Sequence, residues 1–203
     1  MSDHYFSAEP TSASHPRTLD VRLAGHSVQV STDAGVFSPT RLDQGTAVLL
    51  DALPMPPAGE LLDLGCGWGP ISLHAALRAR EAGIDLRVWA LDVNERSLGL
   101  TEANARALGL SEVNAVTADL IPAELRFQTI WSNPPIRVGK DVLHGLLQTW
   151  LPRLVPGGEA WLVVAKKLGA DSLRSWIQDS FPGYRVEKRS QSKGFHVIVV
   201  VRG

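Results

Sequence analysis

The sequence predicts an α/β fold: a doubly wound, mostly parallel seven-stranded sheet with a terminal antiparallel hairpin, preceded by a small N-terminal β-hairpin cover. Three observations carry this prediction. From Gly59 onward, short apolar runs alternate with segments of helical period, the pattern of a parallel sheet with helices on both faces. A glycine cluster, Asp63-Leu64-Gly65-Cys66-Gly67-Trp68-Gly69-Pro70, joins the first such strand to the first such helix. Polar residues that can accept hydrogen bonds stand at four successive strand ends, as Asp63, Asp92, Asp119 and Asn133.

The elements follow in order. Residues 1–17 are polar and irregular, with Pro10 and Pro16. Thr18 to Leu23 and Ser27 to Ser31 alternate apolar and polar residues around Ala24-Gly25-His26, a hairpin signal. Leu42 to Leu53 reads as a helix stopped by Pro54, Pro56 and Pro57. Glu60 to Leu64 is a short apolar strand. Pro70 to Ala82 is helical, with proline in the first turn, where its missing N–H costs nothing. Leu86 to Leu91 is a strand, and Asn94 caps a helix running to about Leu108 and stopping at Gly109. Val113 to Ala118 and Phe127 to Ser132 are strands. Val138 to Leu154 is expected to be one helix, closed by Pro156-Gly157-Gly158, with Glu159 to Ala165 as the next strand. Ala170 to Phe181 is the last helix, and Tyr184 to Ser190 with Phe195 to Val201 make the terminal hairpin.

The glycine loop speaks to ligand. A strand, a glycine turn and a helix N-terminus bring backbone N–H groups close to a nucleotide-like molecule. A dinucleotide fingerprint is G-x-G-x-x-G, but here the third glycine comes one residue early and Pro70 takes its place. That spacing favours S-adenosylmethionine over NAD. A plain tight turn would need one glycine, not three. Asp92, after the second strand, is placed for ribose hydroxyls, and Asp119, after the third, for an adenine amine.

Asn133-Pro134-Pro135-Ile136 ends the fourth strand. Two prolines cannot continue a central strand, so the chain turns and leaves a side-chain amide and free carbonyls at the strand end. Acceptors fixed there can hold a planar –NH2 group. An exocyclic amine on a base is a poor nucleophile because its lone pair is delocalised. The Asn133 oxygen and the Pro134 carbonyl, accepting its protons, would aim that lone pair at an electrophilic methyl. A strong base is not required, so His144 and His196 are read as structural.

Composition bounds the rest. The chain has 203 residues, 44% hydrophobic and 20% charged, ordinary for one globular domain. Its single cysteine, Cys66, rules out an internal disulfide and a multi-cysteine metal site. Cys66 lies within the glycine loop and is counted with the cofactor-binding positions, its thiol read as packing. No apolar run approaches ~18 residues, and the N-terminus lacks a basic and apolar leader, so a cytoplasmic protein without a resident metal is expected. A net charge of -1 argues against holding nucleic acid by overall charge. The distribution differs: Arg137, Lys140, Lys166, Lys167, Lys188, Arg189 and Lys193 fall on turns expected at the carboxyl ends of strands, the ligand side.

These motifs together resemble the small-domain class I methyltransferases related to the bacterial 16S ribosomal RNA guanine-N2 methyltransferase. The resemblance is carried by His4-Tyr5-Phe6-Ser7, Gly35-Val36-Phe37-Ser38, Leu42-Asp43-Gln44-Gly45-Thr46, Asp63 to Pro70, Asp92-Val93-Asn94, Asn133 to Lys140 and Lys193-Gly194-Phe195. It implies a Rossmann-like methyltransferase fold, with residues 1–40 as extension and hairpin cover over the cofactor cleft and 41–203 as catalytic domain. It implies that Asp63, Gly65 and Gly67 border the methionine moiety, Asp92 with Val93 the ribose, and Asp119 with Leu120 the adenine. Gly45 and Thr46 correspond to the family segment closing over the methionine end. Asn133, Pro134 and Pro135 would act on the acceptor. Two departures stand out: the chain is too short for the degenerate N-terminal copy of two-domain relatives, and Ile136 replaces the aromatic residue that stacks on the base in many amino-methyltransferases. Phe37, then Phe195, are the candidates to stack instead, and Arg137, Lys140, Lys166 and Lys193 to hold the substrate. Three readings remain open: an RNA methyltransferase acting on a guanine amine of ribosomal RNA or the small subunit, a methyltransferase of a protein glutamine amide or small amine, and a nucleotide-binding module without catalysis.

Overall fold

The computed structural model of the chain describes residues 12–203. The His4–Ser7 part of the resemblance and the start of the expected extension lie outside the described residues.

A parallel run of strands forms the centre. β1 (Arg17–Leu23) and β2 (His26–Thr32) make the N-terminal hairpin, and α1 (Gln44–Ala52) precedes the sheet. Then come β3 (Gly59–Leu64), α2 (Pro70–Ala82), β4 (Leu86–Leu91), α3 (Glu95–Ala107), β5 (Val113–Val116), β6 (Phe127–Ser132), α4 (Lys140–Trp150), β7 (Leu154–Ala165), α5 (Ala170–Ser180), β8 (Tyr184–Ser192) and β9 (Phe195–Arg202). The seven-stranded sheet has the order β5-β4-β3-β6-β7-β9-β8, parallel except for β9, which is antiparallel to both its neighbours. Alternate residues of each strand face opposite layers. Leu61, Trp131, Val163 and Val197 join the core with α1 and α2. Leu62, Ile130, Leu162 and Ile198 join the core with α4 and α5. The sheet is thus wound on both faces.

Strand order reverses between β3 and β6. The chain lays β4 and β5 on one side of β3, then crosses to put β6 on the other. Crevices outside the carboxyl ends of strands open at such a switch point. Asp63 of β3 pairs with Trp131 of β6, so the glycine loop after β3 and the Asn-Pro-Pro turn after β6 leave the sheet side by side. Ser132 Oγ donates to the Leu64 carbonyl at 2.6 Å and ties the two exits together.

Two expected boundaries differ. The strand from Val113 ends at Val116, because β4, its only neighbour among the described residues, ends at Leu91, the register partner of Val116; Ala118–Leu120 is a 3-10 turn. The single helix expected from Val138 to Leu154 is three elements: a 3-10 turn at Ile136–Val138, α4, and a second 3-10 turn at Leu151–Arg153. Pro152 lacks the N–H that would continue α4. β7 then begins at Leu154 and passes through Pro156-Gly157-Gly158, which is an irregularity within the strand and not the end of a helix. Gly157 has φ 75, and the register against β6 jumps from Leu154 to Glu159.

The N-terminal hairpin lies against α2 and α3. Ala24 N–H donates to His74 Nδ1 at 3.2 Å, and Asn104 exchanges hydrogen bonds with both backbone groups of Ser31. The segment after it reaches the carboxyl edge of the sheet, held by Asn94 Nδ2 on the Gly35 carbonyl (2.9 Å) and Arg96 on the Ala34 carbonyl (2.6 Å).

Candidate functional site

A cavity of about 400 Å³ opens at the switch point. The glycine loop, β4 end, Asn-Pro-Pro turn and the start of β9 all contribute to its wall. Gly65, Gly67, Asp92, Val93, Phe37, Asn133, Pro134, Pro135 and Ile136, all named from the sequence, line it. So does Phe195, the second aromatic candidate.

Gly65 and Gly67 have φ 83 and 58, and a Cβ on either would meet no atom within 4 Å, so their open side faces free space. The loop is pinned from behind. Gly65 and Cys66 N–H both donate to the Leu91 carbonyl at 2.9 Å, and Thr101 Oγ1 donates to the Gly67 carbonyl at 2.9 Å. Asp92 receives Gly67 N–H on Oδ2 (2.9 Å) and Asn94 N–H on Oδ1 (3.0 Å). A carboxylate has about four acceptor sites, so each oxygen keeps capacity for a ligand hydroxyl. Burial raises the Asp92 pKa, partly offset by its backbone donors.

Asp63 does not border the cavity. It is fully buried beneath the loop, where Oδ2 accepts from Ser72 N–H (3.0 Å) and Ser72 Oγ (2.6 Å) in the first turn of α2, and Oδ1 has no partner. Burial pushes its pKa up to about 7, against the lowering effect of the Ser72 bonds, with Asp92 adding repulsion. Its role is to anchor the loop onto α2. Cys66 is also turned inward, its Sγ 3.6 Å from Thr101 Oγ1. Burial, then the charges of Asp92 and Asp63, push its thiol pKa well up, which fits packing and not nucleophilic chemistry.

Gly45 and Thr46 are buried at the N-terminus of α1 and are not on the cavity wall. Asp43 caps that helix, accepting Thr46 N–H on Oδ2 at 3.0 Å. Asn133 Nδ2 donates to the same Asp43 oxygen at 3.0 Å and to Thr46 Oγ1 at 2.9 Å. Gly45 makes room for this: a Cβ there would lie 2.8 Å from Phe195 Cε1 and 3.0 Å from Asp43 Oδ2. Pro134 and Pro135 form an inverse γ-turn, with Pro135 at φ -75, ψ 74 and Ile136 N–H donating to the Pro134 carbonyl at 2.8 Å. That carbonyl therefore offers one lone pair to a ligand, not two.

The outer positions divide. Asp119 and Leu120 are exposed in the 3-10 turn after β5, where the neighbouring Ala118 is the residue on the wall. Arg137 belongs to the Ile136–Val138 turn. Lys140, Lys166 and Lys193 are exposed and off the wall, whereas Lys167 is on it. Lys193 and Gly194, at φ 48 and 81, form the two-residue β8–β9 turn, and Lys166 N–H donates to the Gly194 carbonyl at 2.9 Å, so these cations share one rim. Lys188 and Arg189 are farther along the edge strand β8. Sequence reasoning missed Asp43, Ser97, Leu146, Trp150 and Leu168 on the wall, and the link from Asp43 to Asn133, whereas Lys167 is one of the basic residues it placed on the ligand side. His144 stacks on Trp176 at 3.6 Å, and His196 is buried 3.5 Å from Asp171; neither lines the cavity. Among the described residues, no group of three or more His, Cys, Asp or Glu could hold a metal ion, and no helix is long and apolar enough to cross a membrane.

Residues 27–199 match the methyltransferase small domain family. The chain belongs to that family. A similar protein, the uncharacterized protein YbxB of Bacillus subtilis, is 35% identical over 202 residues, covering 98% of both chains. The ribosomal RNA small subunit methyltransferase C of Acinetobacter baumannii is 33% identical over 189 residues, 90% of this chain and 53% of its own. This chain thus spans about half the length of the curated rRNA methyltransferases it matches. Among solved structures, the Thermus thermophilus 16S rRNA N2 G1207 methyltransferase, in complex with AdoMet and guanosine, superposes with a TM-score of 0.78 at 24% identity, over 93% of this chain and 51% of that one. A Pyrococcus furiosus methyltransferase superposes with a TM-score of 0.62 at 23% identity, over 82% and 87%. Both likenesses bear on the fold.

Proposed function

We propose that this small-domain methyltransferase uses S-adenosylmethionine to methylate an exocyclic amine, guanine N2 in ribosomal RNA. The observation that carries the proposal is the meeting of Asn133-Pro134-Pro135 with Gly65, Gly67 and Asp92 around one cavity. The residues present fit the cofactor. The two glycines leave free space where side chains would stand, and Asp92 keeps acceptor capacity on both oxygens. Gly65, Gly67, Asp92 and Val93 hold it, with Ala118 and the 3-10 turn of Asp119 and Leu120 at the far end. When bound, S-adenosylmethionine supplies an electrophilic methyl group on a sulfonium.

The chain's own residues do the rest by position. Asn133 Oδ1 and the remaining lone pair of the Pro134 carbonyl accept the two amine protons and hold the nitrogen with its lone pair toward the cofactor side. Much of the rate of such a transfer can come from orientation alone. Phe37, Val93 and Leu168 leave large apolar surfaces exposed on the wall, and Phe195 stands beside Gly45; this suits a flat base displaced from a stack. Ile136 supplies an aliphatic contact in place of the aromatic one. Lys140, Lys166, Lys167 and Lys193, at the carboxyl edge, hold phosphates of the strand carrying that base. They give a chain of net charge -1 a local patch.

The test is transfer of labelled methyl to small ribosomal subunits, naked ribosomal RNA and protein. Label should enter RNA and be recovered as N2-methylguanosine. Asn133→Ala should lower that transfer by about two orders of magnitude, the cost of losing one transition-state partner. Label in protein, or in no acceptor, refutes the proposal.

A further inference from the structure

We infer that Asp43 and Thr46 are positioning residues that orient the Asn133 amide, Asp43 from the cavity wall and Thr46 from behind it. The inference rests on the acceptor reading above. An amide side chain has a donor end and an acceptor end, and rotation by half a turn exchanges them. Only one orientation presents an oxygen to an amine proton. The Asp43 carboxylate can accept but not donate, so it takes the –NH2 end and drives Oδ1 away from itself. Asp43 Oδ2 lies 3.0 Å from Asn133 Nδ2, and Thr46 Oγ1 lies 2.9 Å from the same nitrogen. Both amide hydrogens are therefore occupied.

The clamp is itself fixed. Asp43 is the N-cap of α1, and the oxygen that holds Asn133 also accepts Thr46 N–H at 3.0 Å. Thr46 is 2% exposed, so its hydroxyl is sheltered from competing water. Gly45, between them, permits the approach of Phe195, which closes the same corner. Gly45 and Thr46 do not reach the cavity wall, and Asp43, which does, engages Asn133 and Thr46 through its Oδ2. The segment sets the polarity of the acceptor-binding amide. Asp43 and Asn133 lie 90 residues apart in sequence, and the pairing exists only because the start of α1 meets the end of β6.

The experiment is a double-mutant cycle. Thr46→Val keeps the volume and removes the hydroxyl. It should lower kcat for RNA methylation about tenfold while leaving S-adenosylmethionine affinity within about twofold, the signature of a lost orienting contact. Thr46→Ser should restore most of the rate. Introduced into an Asn133→Ala chain, Thr46→Val should cost almost nothing further, because its effect runs through the amide. Equal losses in both backgrounds, or a loss of cofactor affinity matching the loss of rate, overturn the inference. A second readout does not depend on the acceptor. In the full chain labelled with 15N-asparagine, the Asn133 side-chain –NH2 pair should show slow hydrogen exchange, lost in Thr46→Val. If no RNA is methylated by the wild type but this protection is present, the acceptor reading fails and the clamp stands. Fast exchange in the wild type refutes the clamp whatever the substrate.

Discussion

Asp63→Asn offers the sharpest physical test of the site's foundation. In the folded chain Asp63 titrates near 7 instead of 3.8, because it is fully buried with one oxygen unpartnered. Between those values the folded chain keeps a proton that the unfolded chain releases, so stability falls as pH rises through the window. At 1.36 kcal/mol per unit, the full effect is about 4 kcal/mol, a large share of a domain's ~5–15. His74 acts in the opposite sense. Burial, then the charge of Arg78, lowers its pKa from 6.5 to about 4, so the unfolded chain takes up a proton the folded chain refuses. Stability from this group rises with pH between those values, by about 3 kcal/mol. The two slopes oppose each other over most of the same range, and the wild type should be nearly flat from about pH 4.5 to 6.5. Asparagine cannot ionise, and its Oδ1 can keep both Ser72 bonds. Urea unfolding of Asp63→Asn should therefore show stability rising with pH across the His74 window. Relative to wild type, the variant should gain about 3 kcal/mol between about pH 4.5 and 8. Parallel profiles, within about 0.5 kcal/mol, would mean that Asp63 is ionised in the folded chain throughout and that the account of its burial is wrong.

Two further outcomes are expected. Asp92→Ala should weaken S-adenosylmethionine binding at least about tenfold by calorimetry, since charge-assisted hydrogen bonds contribute about 1.5–3 kcal/mol; unchanged affinity removes Asp92 from the cofactor site. Replacing Lys140 and Lys193 together by alanine should weaken RNA binding and flatten its salt dependence by up to about two units, while cofactor affinity holds; parallel salt slopes would mean the rim is merely solvated.

What was legible in the sequence was whatever local chemistry decides. Pro70 and Gly83 bound α2 where predicted, and Asn94 caps α3 through Arg96 and Ser97 N–H as its residue type suggests. β3, β4 and β6 are buried central strands whose apolar runs need no neighbour to be recognised. The errors occur where a neighbour decides. β5 stops where β4 stops, which nothing in Val113 to Ala118 announces. Pro156-Gly157-Gly158 looks like helix punctuation, yet the chain beyond Leu154 is already paired with β6, and the glycines absorb an irregularity in that pairing.

The site shows the same division at the level of single side chains. Motif spacing located the backbone of the glycine loop and the Asn-Pro-Pro turn, because φ-positive glycines and prolines dictate their own geometry. It could not say which way a side chain turns. Asp63, inside β3 and paired with Ala90, is fully buried against Ser72, whereas Asp92, just past the end of β4, stands at the cavity with oxygens to spare. The difference arises because Ser72 Oγ, on α2, captures the first and the Gly67 and Asn94 amides orient the second. Asp43 and Thr46 likewise stood inside a recognised motif at the start of α1, but their partner is in the turn after β6. A motif read along the chain assigns such residues to the nearest function, the cofactor. Their hydrogen bonds run instead to the amide of Asn133, across 90 and 87 residues of chain that no motif spans.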